Sequence, residues 1–198
     1  MSALKFDHTK FFDSYRTAFG SLSQAKVDGL ESLLTSLEAD TDVDDVRWAA
    51  YMLATVKHEC ADTWHPIEEF GKGKGRPYGK PVTITGSDGQ PHTNVYYGRG
   101  YVQLTWQKNY ETMGEALNQG DSLVIDPAKV LDPVVAYDIM SYGMRHGSFT
   151  GKKLADYIND QATDYKNARR IINGLDQWQK IQGYAQTLET SLKQSLIT

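Results

Sequence analysis

Asp44-Asp45-Val46-Arg47-Trp48-Ala49-Ala50-Tyr51-Met52-Leu53-Ala54-Thr55-Val56-Lys57-His58-Glu59-Cys60 is the stretch that decides how this chain folds. It holds neither glycine nor proline, and Asp44 or Asp45 stands where a helix needs its N-cap. At about 100° per residue, Val46, Ala49, Ala50 and Leu53 share one side, while Trp48, Met52 and Val56 share another. A helix that is apolar nearly all round is buried among other elements. The stretch therefore predicts a central core helix in a mainly α fold. Glu59 extends the stripe of Trp48, Met52 and Val56 by one turn. There, low dielectric and the negative end of the helix dipole both favour a protonated carboxyl, which would be a proton donor at neutral pH. The competing reading is a terminal glutamate turned to water, the ordinary place for that residue.

Beyond the helix, Ala61-Asp62-Thr63-Trp64-His65-Pro66-Ile67-Glu68-Glu69 ends it at the proline and adds two more carboxylates. Carboxylates in unlike environments are how proteins run acid and base chemistry together. Gly71-Lys72-Gly73-Lys74-Gly75-Arg76-Pro77-Tyr78-Gly79 reads as a flexible basic loop. Val82-Thr83-Ile84-Thr85 alternates as a strand, Gly86-Ser87-Asp88-Gly89 turns, and residues 93–97 are expected to return as its partner. This hairpin, about residues 76–97, is either a flap beside a site or a plain surface insertion. Tyr96-Tyr97-Gly98-Arg99-Gly100-Tyr101-Val102-Gln103-Leu104-Thr105-Trp106 follows, then Asn109-Tyr110. Glycines on both sides of Arg99 let the backbone turn sharply or approach a ligand. Aromatic faces beside amides and hydroxyls suit a sugar, although plain loops share that composition.

The remaining chain reads as helix after helix. Asp7 or Thr9 can cap a helix over residues 10–19, which Gly20 stops, and Ser23 starts a second that runs to about residue 38. Asp126-Pro127 and Asp132-Pro133 each place proline in a first helical turn. Val134, Val135, Tyr137, Ile139 and Met140 predict that the helix after Pro133 is largely buried. Residues 165–172 and 175–196 predict two more helices. Lys166, Arg169 and Arg170 form a basic cluster that could meet an anionic ligand, or lie on a solvated helix face.

Bulk properties narrow the function classes. The chain has 198 residues, a net charge of -4, 40% hydrophobic and 23% charged residues, which is ordinary for a globular protein. The mild acidity gives no sign of an electrostatic footprint for nucleic acid, and no nucleic-acid partner is expected. A single cysteine permits no intrachain disulfide. No apolar run approaches about 18 residues, so no membrane insertion is expected, and Met1 to Asp7 lack a signal-peptide core. One domain over residues 1–198 is expected, without a separate binding domain.

His58-Glu59, a glutamate about ten residues on, Tyr97-Gly98-Arg99-Gly100-Tyr101-Val102-Gln103-Leu104-Thr105 and Asn109-Tyr110 together resemble the family 19 glycoside hydrolases. That family includes chitinases and lysozyme-like endolysins of bacteriophages. Ile171-Ile172-Asn173-Gly174 resembles a further family segment. The likeness runs from about Trp48 to Tyr184. The short spacing from Glu59 to Glu69, the missing disulfides and Leu175-Asp176 after Asn173-Gly174 resemble the phage branch.

The resemblance implies a chitinase-like or lysozyme-like helical domain with the hairpin beside its cleft. It implies an inverting acid and base mechanism on β-1,4 glycosidic bonds of peptidoglycan, and so lysis of the host cell. Glu59 matches the general acid and Glu69 the base, with Glu68 one register step away. Thr105 matches a residue that helps hold the attacking water. Tyr97, Gln103, Asn109 and Asn173 match substrate-contacting positions, and Arg99 is expected to hold its loop. No cofactor or metal is expected. The partners expected are peptidoglycan glycan strands, and the chain is expected to act as a monomer. Synthesis in the host cytoplasm, with release through a separate membrane-permeabilising protein, completes that picture. Chitin is the rival substrate. A metal-dependent amidase using His58, Asp62 and His65 is a weaker alternative, since no His-Glu-x-x-His is present. A non-catalytic glycan-binding module would need no carboxylate pair.

Overall fold

The computed structural model describes residues 3–197, and these are mainly helical, with two small antiparallel sheets. The chain divides into two compact units, residues 1–64 with 141–198, and residues 65–140.

The first unit is built on three N-terminal helices and the C-terminal part of the chain. They are α1 (His8–Phe19), α2 (Gln24–Ala39) and α3 (Val46–Glu59), with α7 (Tyr165–Ala168) and α8 (Trp178–Ser195). Asp7, Ser23 and Asp45 cap the first three, their side chains accepting from the N–H groups of Lys10, Lys26 and Arg47. Such caps satisfy N–H groups that no helical carbonyl can reach. The core helix is α3, buried from Ala49 through Lys57, and it packs against α8, which α1 and α7 also meet. Tyr51 stacks on Tyr165 with ring centroids 5.8 Å apart, and the Trp48 indole donates to the Ile158 carbonyl at 2.9 Å. The expected C-terminal helix after Tyr165 is broken. Four residues of α-helix give way to a 3-10 turn over Arg169–Ile171, and α8 starts only at Trp178.

A lysine lies inside this unit, on α3. The Lys57 ammonium is 4.5 Å from the Phe19 ring centroid and 5.3 Å from those of Trp64 and Tyr184. It donates to the Tyr15 hydroxyl at 2.8 Å and pairs with Asp62. Burial opposes its charge, but the bonds to Asp62 and Tyr15 outweigh that, and Lys57 titrates above the ordinary lysine value. Asp62 also accepts from Lys26 at 2.5 Å.

The second unit carries both sheets. In one, β1 (Ile67–Glu68) pairs with β4 (Arg99–Gly100), Ile67 opposite Gly100 and Glu68 opposite Arg99. The other is the expected hairpin, β2 (Val82–Thr85) with β3 (Pro91–Asn94). Its second strand ends at Asn94, earlier than the sequence pattern suggests. The Asn94 amide turns away to donate to the carbonyls of Val124 and Ile125 at 3.1 and 2.8 Å, and Tyr96 donates to Val124 at 2.9 Å. At the tip, the Ser87 N–H bonds Asp121 at 2.6 Å. The hairpin is therefore tied at both ends to α5 (Ser122–Ile125) and the residue before it. Two further helices, α4 (Gln107–Ala116) and α6 (Pro133–His146), follow the expected breaks, and the division between the units falls within α6. Val134 corrects the reading of α6, since it is 61% exposed. It sits in the first turn, on the side opposite Ala136 and Met140.

Candidate functional site

Glu59 is the last residue of α3. Three residues with positive φ follow, Ala61 at 49°, Asp62 at 61° and Trp64 at 66°, a conformation that costs non-glycine residues energy. Two groups of contacts hold this turn. Asp62 is gripped by Lys57 and Lys26, and the Thr63 hydroxyl donates to the Cys60 carbonyl at 2.8 Å. Trp64 is fully buried, and Gly29 of α2 lies so close that a Cβ there would stand 2.5 Å from the Trp64 carbonyl oxygen. Strain held by such surroundings fixes the direction in which the helix end points.

The surroundings of Glu59 differ from the apolar setting expected. Its Oε1 accepts from Arg169 Nη1 at 2.7 Å, and the Arg169 side chain is only 3% exposed. Arg169 also donates through Nε to the Asp176 carbonyl at 3.0 Å. It belongs to the 3-10 turn, which brings it to the end of α3, so the basic cluster read from the sequence dissolves. Lys166 instead lies over the Trp178 ring at 4.7 Å, and Arg170 bonds Asn167 at 3.2 Å. His58, beside Glu59, is held below the ordinary histidine value mainly by burial; Glu59 opposes that and Arg169 adds to it. Asn173 is exposed, its N–H bonded to the Arg169 carbonyl at 3.0 Å and its Oδ1 accepting from Gly174 at 2.9 Å.

The two glutamates of the second unit have contrasting partners. Glu68 accepts from the Tyr97 hydroxyl, pairs with Lys72 at 2.7 Å, and lies 3.6 Å from Arg99 Nε. Its carboxyl is held below the usual range, first by Lys72 and then by Tyr97. Glu69 accepts from two neutral groups, the Tyr78 hydroxyl at 2.8 Å and the Gly98 N–H at 3.1 Å. Tyr78 is pushed above the ordinary tyrosine value by burial and by its bond to Glu69.

The Gly98 segment joins most of the remaining residues. A Cβ at Gly98 would meet Gln103 Oε1 at 2.9 Å and Glu69 Cβ at 3.4 Å, so glycine lets Glu69 and Gln103 close around it. Gln103 has φ of 54°, and its amide donates to the carbonyls of Ile67 and Gly100, both at 3.2 Å. The Thr105 hydroxyl donates to the Gln103 carbonyl at 2.8 Å, which leaves its lone pairs for another donor. Asn109 donates to the Thr105 carbonyl at 2.7 Å. Arg99 packs 3.6 Å from the Tyr97 ring centroid and donates to the Val95 carbonyl at 3.0 Å and the Tyr110 hydroxyl at 3.1 Å. That is the loop-holding role expected of it. Tyr97 is 7% exposed between Arg99 and Glu68.

Residues 29–148 match the family model Glyco_hydro_19, Chitinase class I, which is well over half of the chain. The chain belongs to glycoside hydrolase family 19. Within this family 19 chain, a stretch of 43 residues is 46% identical to the acidic 26 kDa endochitinase of Solanum lycopersicum, covering 21% of this chain and 17% of that protein. Another of 92 residues is 39% identical to an Arabidopsis thaliana endochitinase, covering 46% and 30% respectively. The chain thus spans less than a third of the curated relatives it matches. Among solved structures, chitinase C from Streptomyces griseus HUT6037 superposes with a TM-score of 0.62 at 22% identity, over 95% of this chain and 76% of that one. A bacterial family 19 chitinase superposes with a TM-score of 0.53 at 23% identity, over 92% and 94%. These likenesses show the fold, and the expected chitinase-like helical architecture is the one observed.

Tyr78 and the Gly98 N–H are contributors the sequence did not single out, and Arg169, expected in a cluster facing an anionic ligand or solvent, bonds Glu59 instead. Tyr78 sits in a glycine-rich loop and Arg169 in a basic stretch, so neither pattern pointed to a glutamate partner. No group of three or more His, Cys, Asp or Glu side chains is placed to hold a metal ion among the described residues. Asp62, named for the amidase alternative, has its carboxylate taken by Lys57 and Lys26.

Proposed function

We propose that this family 19 domain hydrolyses β-1,4 bonds between N-acetylhexosamines by inversion, and that bacterial peptidoglycan is its polymer. Glu59 donates the proton to the departing glycosidic oxygen. Its Oε1 is taken by Arg169, so the transferable proton belongs on Oε2. A protonated carboxyl keeps a carbonyl oxygen that can still accept from the guanidinium. Glu69 is the base that takes a proton from the attacking water. The observation that carries this assignment is the contrast between the two adjacent glutamates. Glu68 is held by Lys72 and Tyr97 and lies near Arg99, and these partners weaken it as a base. Among the described residues, Glu69 is oriented by two neutral donors and forms no ion pair. Thr105, its own proton spent on the Gln103 carbonyl, accepts from the same water. Inversion needs a carboxyl separation of roughly 6.5–9.5 Å, enough for that water. An endolysin role follows from this reading: the protein is made in the host cytoplasm and reaches the wall after another protein opens the membrane.

Chitin is the second reading, favoured by the endochitinase relatives. Mass spectrometry of products from purified peptidoglycan and from chitin separates the two. Reducing-end muropeptides with intact amide bonds support the first, and chitooligosaccharides alone support the second. Cleavage of amide bonds, or anhydro sugar ends, would remove both.

A further inference from the structure

The second unit has a cleft that none of the matched motifs accounts for. It encloses about 250 Å³, and its walls include Tyr78, Val82, Tyr96 and Trp106. Trp106 is 49% exposed and Val82 is 37% exposed, so two exposed apolar side chains line one slot. Trp106 has φ of 75°, a genuine outlier for so bulky a residue. Its N–H is fixed to the Tyr96 carbonyl at 2.9 Å, and its ring meets Tyr78 edge to face at 5.4 Å. The indole is therefore held against Tyr78 at the edge of the slot at a cost in backbone energy. Flat aromatic faces of this kind take the apolar face of a sugar ring.

The charge of the slot is one-sided. Lys80 and Lys108 are its charged lining residues, and both are exposed. Lys108 shares its ammonium with Glu111 at 2.9 Å, an exposed pair of the weak kind that a ligand anion can replace. In a chain with net charge -4, a two-lysine rim without an acidic lining residue favours an anionic ligand. The slot also shares a wall with the candidate base, because the Tyr78 hydroxyl donates to Glu69.

We propose that this slot is a subsite for a sugar bearing a carboxylate, the lactyl ether of a muramic acid residue. The ring packs on Trp106 and Tyr78, and the carboxylate lies between Lys80 and Lys108. The proposal rests on the glycan-hydrolase reading above and deepens it, since it supplies a physical reason for a charged wall polymer over neutral chitin.

The test is binding, read by heteronuclear NMR on the full chain carrying Glu59→Gln. Two tetrasaccharide probes are titrated at low salt, one of N-acetylglucosamine alone and one alternating with N-acetylmuramic acid. The muramyl probe should shift the Trp106 indole N–H. Lys80→Gln with Lys108→Gln should raise its Kd by roughly three- to tenfold, as for two exposed ion pairs, and raised salt should erase the difference. The neutral probe should keep its Kd in that double variant. Trp106→Ala should weaken both probes. Equal weakening of both probes by the lysine changes, or weakening of neither, overturns the proposal, as does unchanged binding with Trp106→Ala. Failure of the hydrolase reading looks different: lysine-dependent binding would persist in a protein that cleaves neither polymer.

Discussion

Gly29→Ala is a substitution whose effect should reverse sign against the usual rule. In a helix interior, alanine is favoured over glycine by about 1 kcal/mol. At Gly29 of α2 the added Cβ would stand 2.5 Å from the Trp64 carbonyl oxygen and 2.9 Å from its carbonyl carbon. Both atoms are backbone, and they belong to a fully buried residue with φ of 66° in the turn after Glu59. That turn cannot yield cheaply, because Lys57 and Lys26 hold Asp62 within it. Overpacking against such a wall costs about 1–3 kcal/mol, and here the upper half applies. Subtracting the propensity gain leaves a net loss of about 1–2 kcal/mol, a fall in Tm of roughly 3–6 °C for a chain of this size. Gly183→Ala in α8 is the matched control, since nothing lies within 4 Å of its Cβ position. It should be stabilised by up to about 1 kcal/mol. Both are read by thermal and urea unfolding followed by circular dichroism. If Gly29→Ala is as stable as the parent or more so, the close contact between α2 and the turn is wrong.

The carboxylates should separate by role. Glu59→Gln and Glu69→Ala should each lower turnover on cell-wall glycan by at least the ~100-fold typical of an acid or base group, with Glu68→Ala mild and Thr105→Ala intermediate. Steady-state turnover of solubilised glycan orders the four, and an inverted order of Glu68 and Glu69 would reassign the base. Glu68 also makes a pH prediction. Its folded-state value is depressed by Lys72 and Tyr97, so its contribution to stability is full above the unfolded value near 4.5 and is lost as pH falls through the lower folded value. Urea unfolding between pH 3 and 6 should show a shallower acid limb in Glu68→Gln, and an unchanged limb would mean that the Lys72 and Tyr97 contacts do not form in solution.

Much of the fold was legible because local signals and tertiary demands agree. Asp45 caps a stretch without glycine or proline, and that stretch is the buried α3. The break at Gly20 and the prolines at 127 and 133 punctuate the structure as expected. Where the reading slipped, a long-range contact overrode a local pattern. The second hairpin strand stops at Asn94 because its amide serves the Val124 and Ile125 carbonyls. Val134 follows the apolar pattern but lies exposed in the first turn of α6. The site shows the same division. Glu59, Glu69 and the Gly98 segment stand out as motif residues, and Gly98 is explained by the closeness of Glu69 and Gln103. Arg169 and Tyr78 gave no such sign, because an arginine on a basic stretch or a tyrosine in a glycine-rich loop is defined only by what it meets in space. The positive φ values at Gln103 and Trp106 were equally silent, since neither residue type advertises that conformation.

If Glu59 and Glu69 act as acid and base on one glycosidic bond, the anomeric configuration is inverted in the first product. Proton NMR of the first product released from a soluble β-linked oligosaccharide tests it most directly. Initial product of the α configuration is expected, relaxing afterwards to the equilibrium mixture. Initial product of the β configuration, or a glycosyl group trapped on the protein, would contradict it.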